Sequence, residues 1–312
     1  MAKRPRAAPV PPVTWRDGVH LTGTPIWCDA RRRRDVCFVS SADRVVRAGH
    51  GQLIGTPTTI ALIAGRDSGH LAVPLRRPFT LGTLRLELIP SGRALGAAAL
   101  HVDTGMRTVL YAGAIRTVHA TEPAEVRASD AVVVAAPIGD VRQPFARVDE
   151  LVVRIVAWVR AKLAADQPPV LVVDNALDGL EVAAKLVAAG LVVTASKSLR
   201  DAAEVIGDSA PALRAHGKEA AVLVRAETDR VKVATTAAIA LVSARAALPQ
   251  QGFDDTFAWP FVASREQLLT WIEQARAKHV FVTGAGAEPI VAALGTRAQV
   301  LGPPQQMALF SS

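Results

Sequence analysis

The polar turn at positions 40–46 comes directly after a segment that has the composition of a buried strand. Its sequence is SSADRVV, and it follows the apolar run 36–39. Catalytic and ligand-binding side chains of α/β proteins commonly lie at such strand ends. Asp43 is the only acidic side chain of the turn. The turn has no His, Cys or Glu, so it is either an ordinary turn or a site whose chemical groups are gone.

The histidines do not form a recognisable metal motif in the sequence. None of the seven has His-x-His or His-x-x-x-His spacing. They are His20, His50, His70, His101, His119, His216 and His279. Histidines scattered singly are usually structural or surface residues, and we expect that here. A metal site rebuilt from Asp43, His50 and His70 stays open as an alternative.

A glycine-rich turn, GAGAEP at 284–289, imitates the dinucleotide-binding loop because it lies between a predicted strand and a helical segment. Pro289 occupies the third glycine position, and no acidic residue follows about 20 positions later in a βαβ unit. We therefore do not predict a dinucleotide site there.

Composition excludes several classes of protein. The chain has 312 residues, is 50% hydrophobic, and has no apolar run near the ~20 residues of a membrane span. Residues 1–12 are basic and proline-rich without an apolar core, so we predict a loose arm rather than a secretory signal. Two cysteines, Cys28 and Cys37, give no disulfide framework and indicate a reducing, cytoplasmic setting. The net charge of +8 favours a polyanionic partner or reflects a GC-rich genome.

The pattern of predicted elements changes along the chain. Residues 13–140 contain short β-branched runs broken by Gly, Pro and Asp, which predict strands joined by turns. The predicted strands are TTIALIAG (58–65), LRLELIPSG (84–92), TVLYAG (108–113) and DAVVVAAP (130–137). From 145 onward, strands and helices alternate, which predicts a parallel sheet.

The part of the chain from 145 onward contains segments that are typical of individual helices and strands. Residues 147–166 carry apolar side chains at helical spacing, 168–176 read as a buried strand, and 177–190 as a helix ended by Gly190. Near the C-terminal end, a helix at 264–278 has Ser264 as its N-cap, and the strand HVFVTG follows it. The overall prediction is an α/β protein.

Five fragments occur in an order that resembles the metallo-β-lactamase fold nucleases of the β-CASP branch, in particular the small bacterial ligase-associated DNA exonucleases. They are IWCDA (26–30), FVSSADRVV (38–46), IPSGRALGAAAL (89–100), VLYAGAIRT (109–117) and VVVAAPIGD (132–140). The resemblance implies an αββα sandwich at 13–144 and 250–302, with an inserted β-CASP-like α/β domain at 145–249. It also implies two metal ions, zinc or manganese, bound by His and Asp at strand ends.

The family's ligand positions have changed in this chain. Asp29 matches the Asp that opens the family pattern, but the later positions do not match. The residues at these positions are Ser41 and Asp43 for the first two His, Val45 and Val46 for the Asp-His pair, Arg93 for the single His, Ala114 for the bridging Asp, Ala135 for an acidic residue, Val262 for a His, and Gly284 for the terminal His.

These replacements remove the donors that two metal ions require. Valine, alanine and glycine side chains offer no donor, and Arg93 is a permanent cation where a divalent ion would lie. Without metals there is no activated water and no clamp on the scissile phosphate. We therefore predict no cofactor and no catalytic site. The alternative is an active metal-dependent DNA exonuclease or hydrolase with a rebuilt site.

An inactive nuclease fold could still bind nucleic acid. Arg31, Arg32, Arg33 and Arg34, the arm with Lys3, Arg4 and Arg6, and Arg93 in the former cleft could contact phosphates. A solvated turn explains the arginine run equally well. Inactive members of the superfamily also pair with active ones, so the resemblance implies a nuclease, ligase or helicase subunit as another partner.

The segment QMALF at 306–310 resembles the bacterial sliding-clamp-binding pentapeptide. Gln306 would bond at the rim of the clamp pocket, Met307 would take the aliphatic position, and Leu309 and Phe310 would fill the pocket. Alternatively, these side chains cap the protein's own core. Because the motif follows two prolines, we predict that 303–312 is a clamp-binding tail.

Together these features predict a cytoplasmic, catalytically inactive DNA repair or replication accessory protein. Its predicted partners are the sliding clamp, DNA or a partner enzyme, and no membrane. A purely structural partner that does not contact DNA is a third hypothesis.

Overall fold

The computed structural model describes residues 10–43, 49–118, 121–139, 141, 144–217 and 221–303. Within these residues the chain forms three sheets and six α-helices. The mixture of parallel and antiparallel strands with helices confirms the α/β class.

The first sheet contains six short strands in chain order. They are β1 (Val13–Trp15), β2 (Val19–Leu21), β3 (Ile26–Cys28), β4 (Val36–Phe38), β5 (Gln52–Gly55) and β6 (Leu71–Ala72). The first three strands pair antiparallel, whereas β3 to β6 pair parallel. The carboxyl ends of β3 to β6 therefore lie at one edge of this sheet.

The second sheet has seven strands and combines an antiparallel half with a parallel half. Its strands are β7 (Phe79–Leu81), β8 (Leu84–Pro90), β9 (Ala98–Asp103), β10 (Thr108–Gly113), β11 (Ala131–Ala135), β18 (His279–Thr283) and β19 (Ala298–Val300). The strands β8, β10, β11 and β18 run in the same direction, because β9 pairs antiparallel with both β8 and β10. The carboxyl ends of these four strands therefore meet at one edge of the sheet, where side chains of a functional site would lie.

The two sheets pack face to face and are covered by helices on their outer faces. Their inner faces share one apolar cluster, which includes Phe38 of β4 and Leu100 of β9. The outer face of the first sheet packs against α1 (Pro57–Ala64). The outer face of the second sheet packs against α5 (Arg265–Gln274) and α6 (Ala287–Leu294). The layers of this sandwich are therefore helix, sheet, sheet and helix.

The prediction of a strand at 58–65 is wrong, because this segment forms α1. Thr56 is its N-cap and accepts a hydrogen bond from the backbone N–H of Thr59, and Pro57 occupies the first turn. These are standard start signals of a helix, and they outweigh the β-branched residues that follow.

The third sheet forms an inserted domain and is parallel throughout. Its strands are β12 (Pro169–Val173), β13 (Val193–Ala195), β14 (Arg214–Ala215), β15 (Val222–Ala226), β16 (Ala238–Ser243) and β17 (Asp255–Ala258), in the order β14-β13-β15-β12-β16-β17. Three helices accompany it, α2 (Val148–Ala164), α3 (Ala176–Ala188) and α4 (Lys197–Ile206). Because β17 pairs with β16, this domain extends beyond the predicted boundary at 249.

Most elements of the alternating part were predicted correctly. The helices α2, α3 and α5 and the strands β12 and β18 form where the sequence placed them. Ser264 caps α5 in a capping box with Gln267. Among the described residues, no helix combines the length and apolarity that crossing a bilayer would require.

A buried arginine centre between the two domains

Asp29, the residue that matches the family pattern, connects the carboxyl edges of the two sheets of the sandwich. Its carboxylate accepts hydrogen bonds from the backbone N–H and the hydroxyl of Ser40, at 2.8 and 2.6 Å, and from the hydroxyl of Tyr111 at 2.8 Å. Gly113 lies beside this group. Its φ is +60°, and a Cβ there would lie 2.8 Å from Ser40 Oγ, so the position favours glycine. Asp29 therefore holds the strand ends together.

Arg93 lies beyond the carboxyl end of β8 and forms ion pairs with two carboxylates. Its Nη1 and Nη2 atoms bind both oxygens of Asp178, at 2.6 and 3.0 Å. Nη2 also lies 3.0 Å from Asp43 Oδ2. The Arg93 side chain is only 10% exposed and that of Asp178 is 1% exposed. We call this group the arginine centre, Arg93 with Asp43 and Asp178.

The arginine centre joins the two domains, because Asp43 and Arg93 belong to the sandwich and Asp178 belongs to α3. Asn175, the N-cap of α3, orients Asp178 in two ways. Its Oδ1 accepts the backbone N–H of Asp178 at 3.0 Å, and its Nδ2 donates to Asp178 Oδ2 at 2.8 Å. The carboxylate thus enters the interface already held at the N-terminal end of a helix, where negative charge is favourable.

The electrostatics of the centre follow from its burial. Burial raises the pKa of Asp178 to about 6, and the adjacent Arg93 charge opposes that rise. Burial alone would lower the pKa of Arg93, but the carboxylates of Asp178 and Asp43 raise it above its ordinary value. Arg93 is therefore a fixed internal cation, and Asp178 is ionised above about pH 6.

A second arginine fastens α3 to the sandwich one turn further along the helix. Arg116, 2% exposed, follows β10 and binds Glu181 through Nη1 at 2.7 Å and Nη2 at 3.0 Å. Trp259 Nε1 also donates to Glu181, at 2.8 Å. A Cβ on Gly92, which has φ of +70°, would lie 2.1 Å from the carbonyl oxygen of Arg116. This loop therefore needs glycine at position 92.

Arg116, Asp178 and Glu181 were not predicted as site residues from the sequence. A signal was present, since Asp178 and Glu181 are three residues apart and share one face of the predicted helix. Arg116 stands in the otherwise apolar segment VLYAGAIRT. Arg116 and Glu181 are 65 positions apart in the chain, so neither residue alone could indicate its partner.

The remaining family ligand positions are apolar and mostly buried. Ala114 and Val262 are core members of the apolar cluster of the inserted domain, and Ala135 packs against it. Gly284 has φ of +94°, and a Cβ there would lie 3.1 Å from the carbonyl oxygen of Ala136, so histidine would be strained. Ser41 is buried, and its hydroxyl has no hydrogen-bond partner within the described part of the chain. Positions 45 and 46 lie outside the described residues.

The residues at these positions do not fit two metal ions. Among the described residues, no group of three or more His, Cys, Asp or Glu side chains is arranged to hold a metal. The carboxylates of Asp43 and Asp178 already bind the guanidinium of Arg93. A divalent ion would have to displace a fixed cation from a buried ion pair.

The alternative site from Asp43, His50 and His70 is wrong, because the strands hold its members at opposite edges. His50 precedes β5 and accepts a hydrogen bond from the backbone N–H of Arg34 at 3.1 Å. His70 precedes β6 and accepts the N–H of Leu53 at 3.3 Å. Asp43 lies beyond the carboxyl end of the parallel strand β4. A strand length, about 10 Å, separates the two edges.

A cavity of about 380 Å³ lies beside the arginine centre, between the sandwich and the inserted domain. Residues from both domains line it, including Leu95, Arg116, Leu177, Leu180, Glu181 and Lys185. Arg116 and Glu181, two charged residues of this lining, are paired with each other.

The four arginines at 31–34 do not share one environment. Arg31 and Arg33 are exposed, and Arg32 is exposed but lies 3.1 Å from Asp17. Arg34 packs over the ring of Trp27 at 3.7 Å and donates to the carbonyl oxygen of Arg16 at 2.7 Å. Phosphate contacts of Arg34 and Arg93 stay a prediction, and these two side chains are already engaged, Arg34 by Trp27 and Arg93 by carboxylates.

The predicted clamp-binding residues, Gln306, Met307, Leu309 and Phe310, lie outside the described residues, as do Lys3, Arg4 and Arg6 of the arm. The described chain ends just beyond β19, where Leu301 donates to the carbonyl oxygen of Val282 at 2.8 Å.

No protein-family model matches this chain, and no curated protein sequence matches it at a significant level.

Proposed function

We propose that this chain is a catalytically inactive relative of the metallo-β-lactamase fold nucleases, and that it serves as a DNA repair or replication accessory protein docked on the sliding clamp. The observation that carries the proposal is the arginine centre. A buried guanidinium, held by Asp43 and Asp178, lies at the strand ends where the family resemblance implies two metal ions.

The order of layers supports the family assignment. The sandwich has the helix, sheet, sheet, helix order that a metallo-β-lactamase αββα fold requires. A parallel α/β domain interrupts it between β11 and β18, which is where the resemblance implies a β-CASP-like insertion.

The chemistry of the centre supports inactivity. Hydrolysis of a phosphodiester in this family depends on metal ions that activate water and stabilise the charge on the phosphate. Arg93 supplies positive charge at that place, but both its terminal nitrogens bind carboxylates. The cation thus neutralises the protein's own acids and cannot serve as a Lewis acid.

The tail QMALF supports the clamp partner. A short segment with two apolar anchors is a common way to bind a pocket with modest affinity. In this role the protein is a cytoplasmic scaffold that brings the sandwich to the clamp, with DNA or an active nuclease, ligase or helicase subunit as a further partner.

Two assays on the full chain test the proposal. The purified protein should not degrade single- or double-stranded DNA with zinc or manganese present. It should also bind the organism's sliding clamp, and a variant lacking residues 306–312 should not. Nuclease activity that disappears in Asp43→Ala would favour the alternative of an active hydrolase, and no clamp binding by the full chain would remove the clamp from the proposal.

A further inference from the structure

Arg16 joins the exposed arginines at 31–33 in one surface patch, although it lies 15 positions earlier in the sequence. Two loops meet there, the β1–β2 turn and the β3–β4 loop. The backbone N–H of Arg31 donates to the carbonyl oxygen of Asp17 at 2.7 Å. The loops also touch at Gly18, where a Cβ would lie 2.6 Å from the Cα of Ala30. The two loops therefore form one surface.

The patch is built on a rigid base. Arg34 packs on Trp27, whose ring stacks with His20 at a centroid distance of 4.6 Å. The carbonyl oxygens of Arg34 and Asp35 accept backbone hydrogen bonds from residues 51 and 52, at 2.9 and 2.7 Å. Arg34 thus anchors the loop, while the four arginines at 16 and 31–33 stay exposed.

We propose that these four residues, Arg16, Arg31, Arg32 and Arg33, form a binding site for the phosphodiester backbone of DNA. Guanidinium groups bind phosphate oxygens in pairs of hydrogen bonds, independently of base sequence. The site lies on the first sheet, on residues other than those of the arginine centre and the cavity. It includes Arg16, which the sequence did not reveal, and it excludes Arg34 and Arg93.

The carboxylates of the two loops leave the patch positive. They belong to Asp17, Asp29 and the exposed Asp35, against five arginines at 16 and 31–34, so the two loops keep a net charge of +2. Asp29 accepts hydrogen bonds from Ser40 and Tyr111 inside the sandwich, and Asp17 makes an exposed pair with Arg32. Exposed pairs stabilise by about 1 kcal/mol or less, so a phosphate can replace Asp17 as the partner of Arg32 at small cost.

The surroundings favour DNA over a lipid surface. Binding to a membrane interface usually needs apolar side chains that enter the bilayer beside the basic ones. Neither the β1–β2 turn nor the β3–β4 loop, both within the described residues, carries an exposed large hydrophobic side chain. The patch therefore offers charge without an apolar anchor, which suits a polyanion in water.

This inference deepens the proposed function and rests on it only for the choice of DNA as the polyanion. The test uses the full chain without the clamp, so failure of clamp binding and failure of this site give different results. Fluorescence anisotropy of labelled duplex DNA is measured between about 50 and 200 mM salt. The slope of log K against log salt counts the phosphate contacts, at about 0.9 per contact.

Replacing all four arginines with Ser should reduce the slope by about 2 to 3.5, and Arg16→Ser alone by up to about 0.9. The matched control replaces four exposed basic residues of the inserted domain, Arg147, Arg160, Arg230 and Lys232, with Ser, which removes the same charge. It should leave the slope nearly unchanged. Replacing the four arginines with Lys should keep most of the slope, because the charge remains.

An unchanged slope in the four-Ser variant, or an equal loss in the control, would overturn the proposal. Vesicles rich in anionic lipid serve as the competing surface. Binding to vesicles that is stronger than binding to DNA, and that is lost in the four-Ser variant, would also overturn it in favour of a membrane surface.

Discussion

Replacing Arg93 with Met should strongly destabilise the fold, because the substitution removes the buried cation that the carboxylates of Asp43 and Asp178 both bind. The two side chains are 13% and 1% exposed. Removing one partner of a buried ion pair typically costs about 3 to 5 kcal/mol. Since small proteins have about 5 to 15 kcal/mol of stability in total, the variant should unfold at a much lower urea concentration.

The loss should depend on pH in a defined direction. The folded-state pKa of Asp178 is about 6, above its ordinary value of 3.8, and it should rise further once Arg93 is absent. Between the unfolded and folded pKa values, the folded state binds more protons than the unfolded state, so stability falls as pH rises. The difference between Arg93→Met and wild type should therefore be smallest near pH 4 and largest near pH 8, on the scale of about 1.4 kcal/mol per unit of additional pKa shift.

Urea unfolding followed by circular dichroism, at about pH 5 and pH 8, measures both effects. The control is Arg127→Met, since Arg127 is 41% exposed and pairs with Glu87 at 3.1 Å. It should lose about 1 kcal/mol or less. The double variant Arg93→Met with Asp178→Leu should recover part of the loss, because an apolar pair can replace a buried ion pair. A loss below about 1 kcal/mol in Arg93→Met, or one independent of pH, would refute the role of the centre.

The remaining predictions concern the tail, a glycine and a helix cap. Leu309→Ala with Phe310→Ala should weaken clamp binding by about 30-fold, or about 2 kcal/mol, in a clamp titration, while the melting temperature stays unchanged. Gly92→Ala should destabilise by about 2 kcal/mol or more in urea unfolding, because its φ is +70° and the added Cβ would overlap the carbonyl of Arg116. Thr56→Ala should cost about 1 kcal/mol in the same assay, because α1 loses the side chain that caps its N-terminal end.

Each of these three has a contradicting result. Unchanged clamp affinity would show that Leu309 and Phe310 are not the anchors, and a melting temperature lowered by several degrees would mean that they belong to the core. Gly65→Ala is the control for Gly92, since it also has positive φ but nothing lies within 4 Å of its Cβ position. Equal losses in the two glycine variants would show that the contact with Arg116 does not matter. A wild-type stability for Thr56→Ala would remove the cap from the explanation of α1.

Local signals predicted most elements of the fold. Helices α2, α3 and α5 have apolar residues at helical spacing, and Ser264 is a recognisable cap. The error at α1 arose because its β-branched residues were given more weight than Thr56-Pro57, which marks a helix start. The strand β17 was assigned to the wrong domain, because nothing in its four residues tells which sheet will pair with it.

The site was predictable only where the signal was local. The sequence showed that positions 45, 93, 114, 262 and 284 lack metal donors. It did not show that Arg93 would bind Asp178, because the two residues are 85 positions apart and meet only when the inserted domain packs on the sandwich. The patch around Arg16 was missed for the same reason, since β-strand pairing brings its two loops together.

Metal content is the most direct test of whether Arg93 lies where the family resemblance implies metal ions. The full chain is dialysed against zinc and then against manganese, passed through a desalting column, and analysed for both elements beside Asp43→Ala. We expect far less than one ion per chain in both proteins. One or two ions per chain in the wild type, lost in Asp43→Ala, would contradict the replacement of the metals by an arginine.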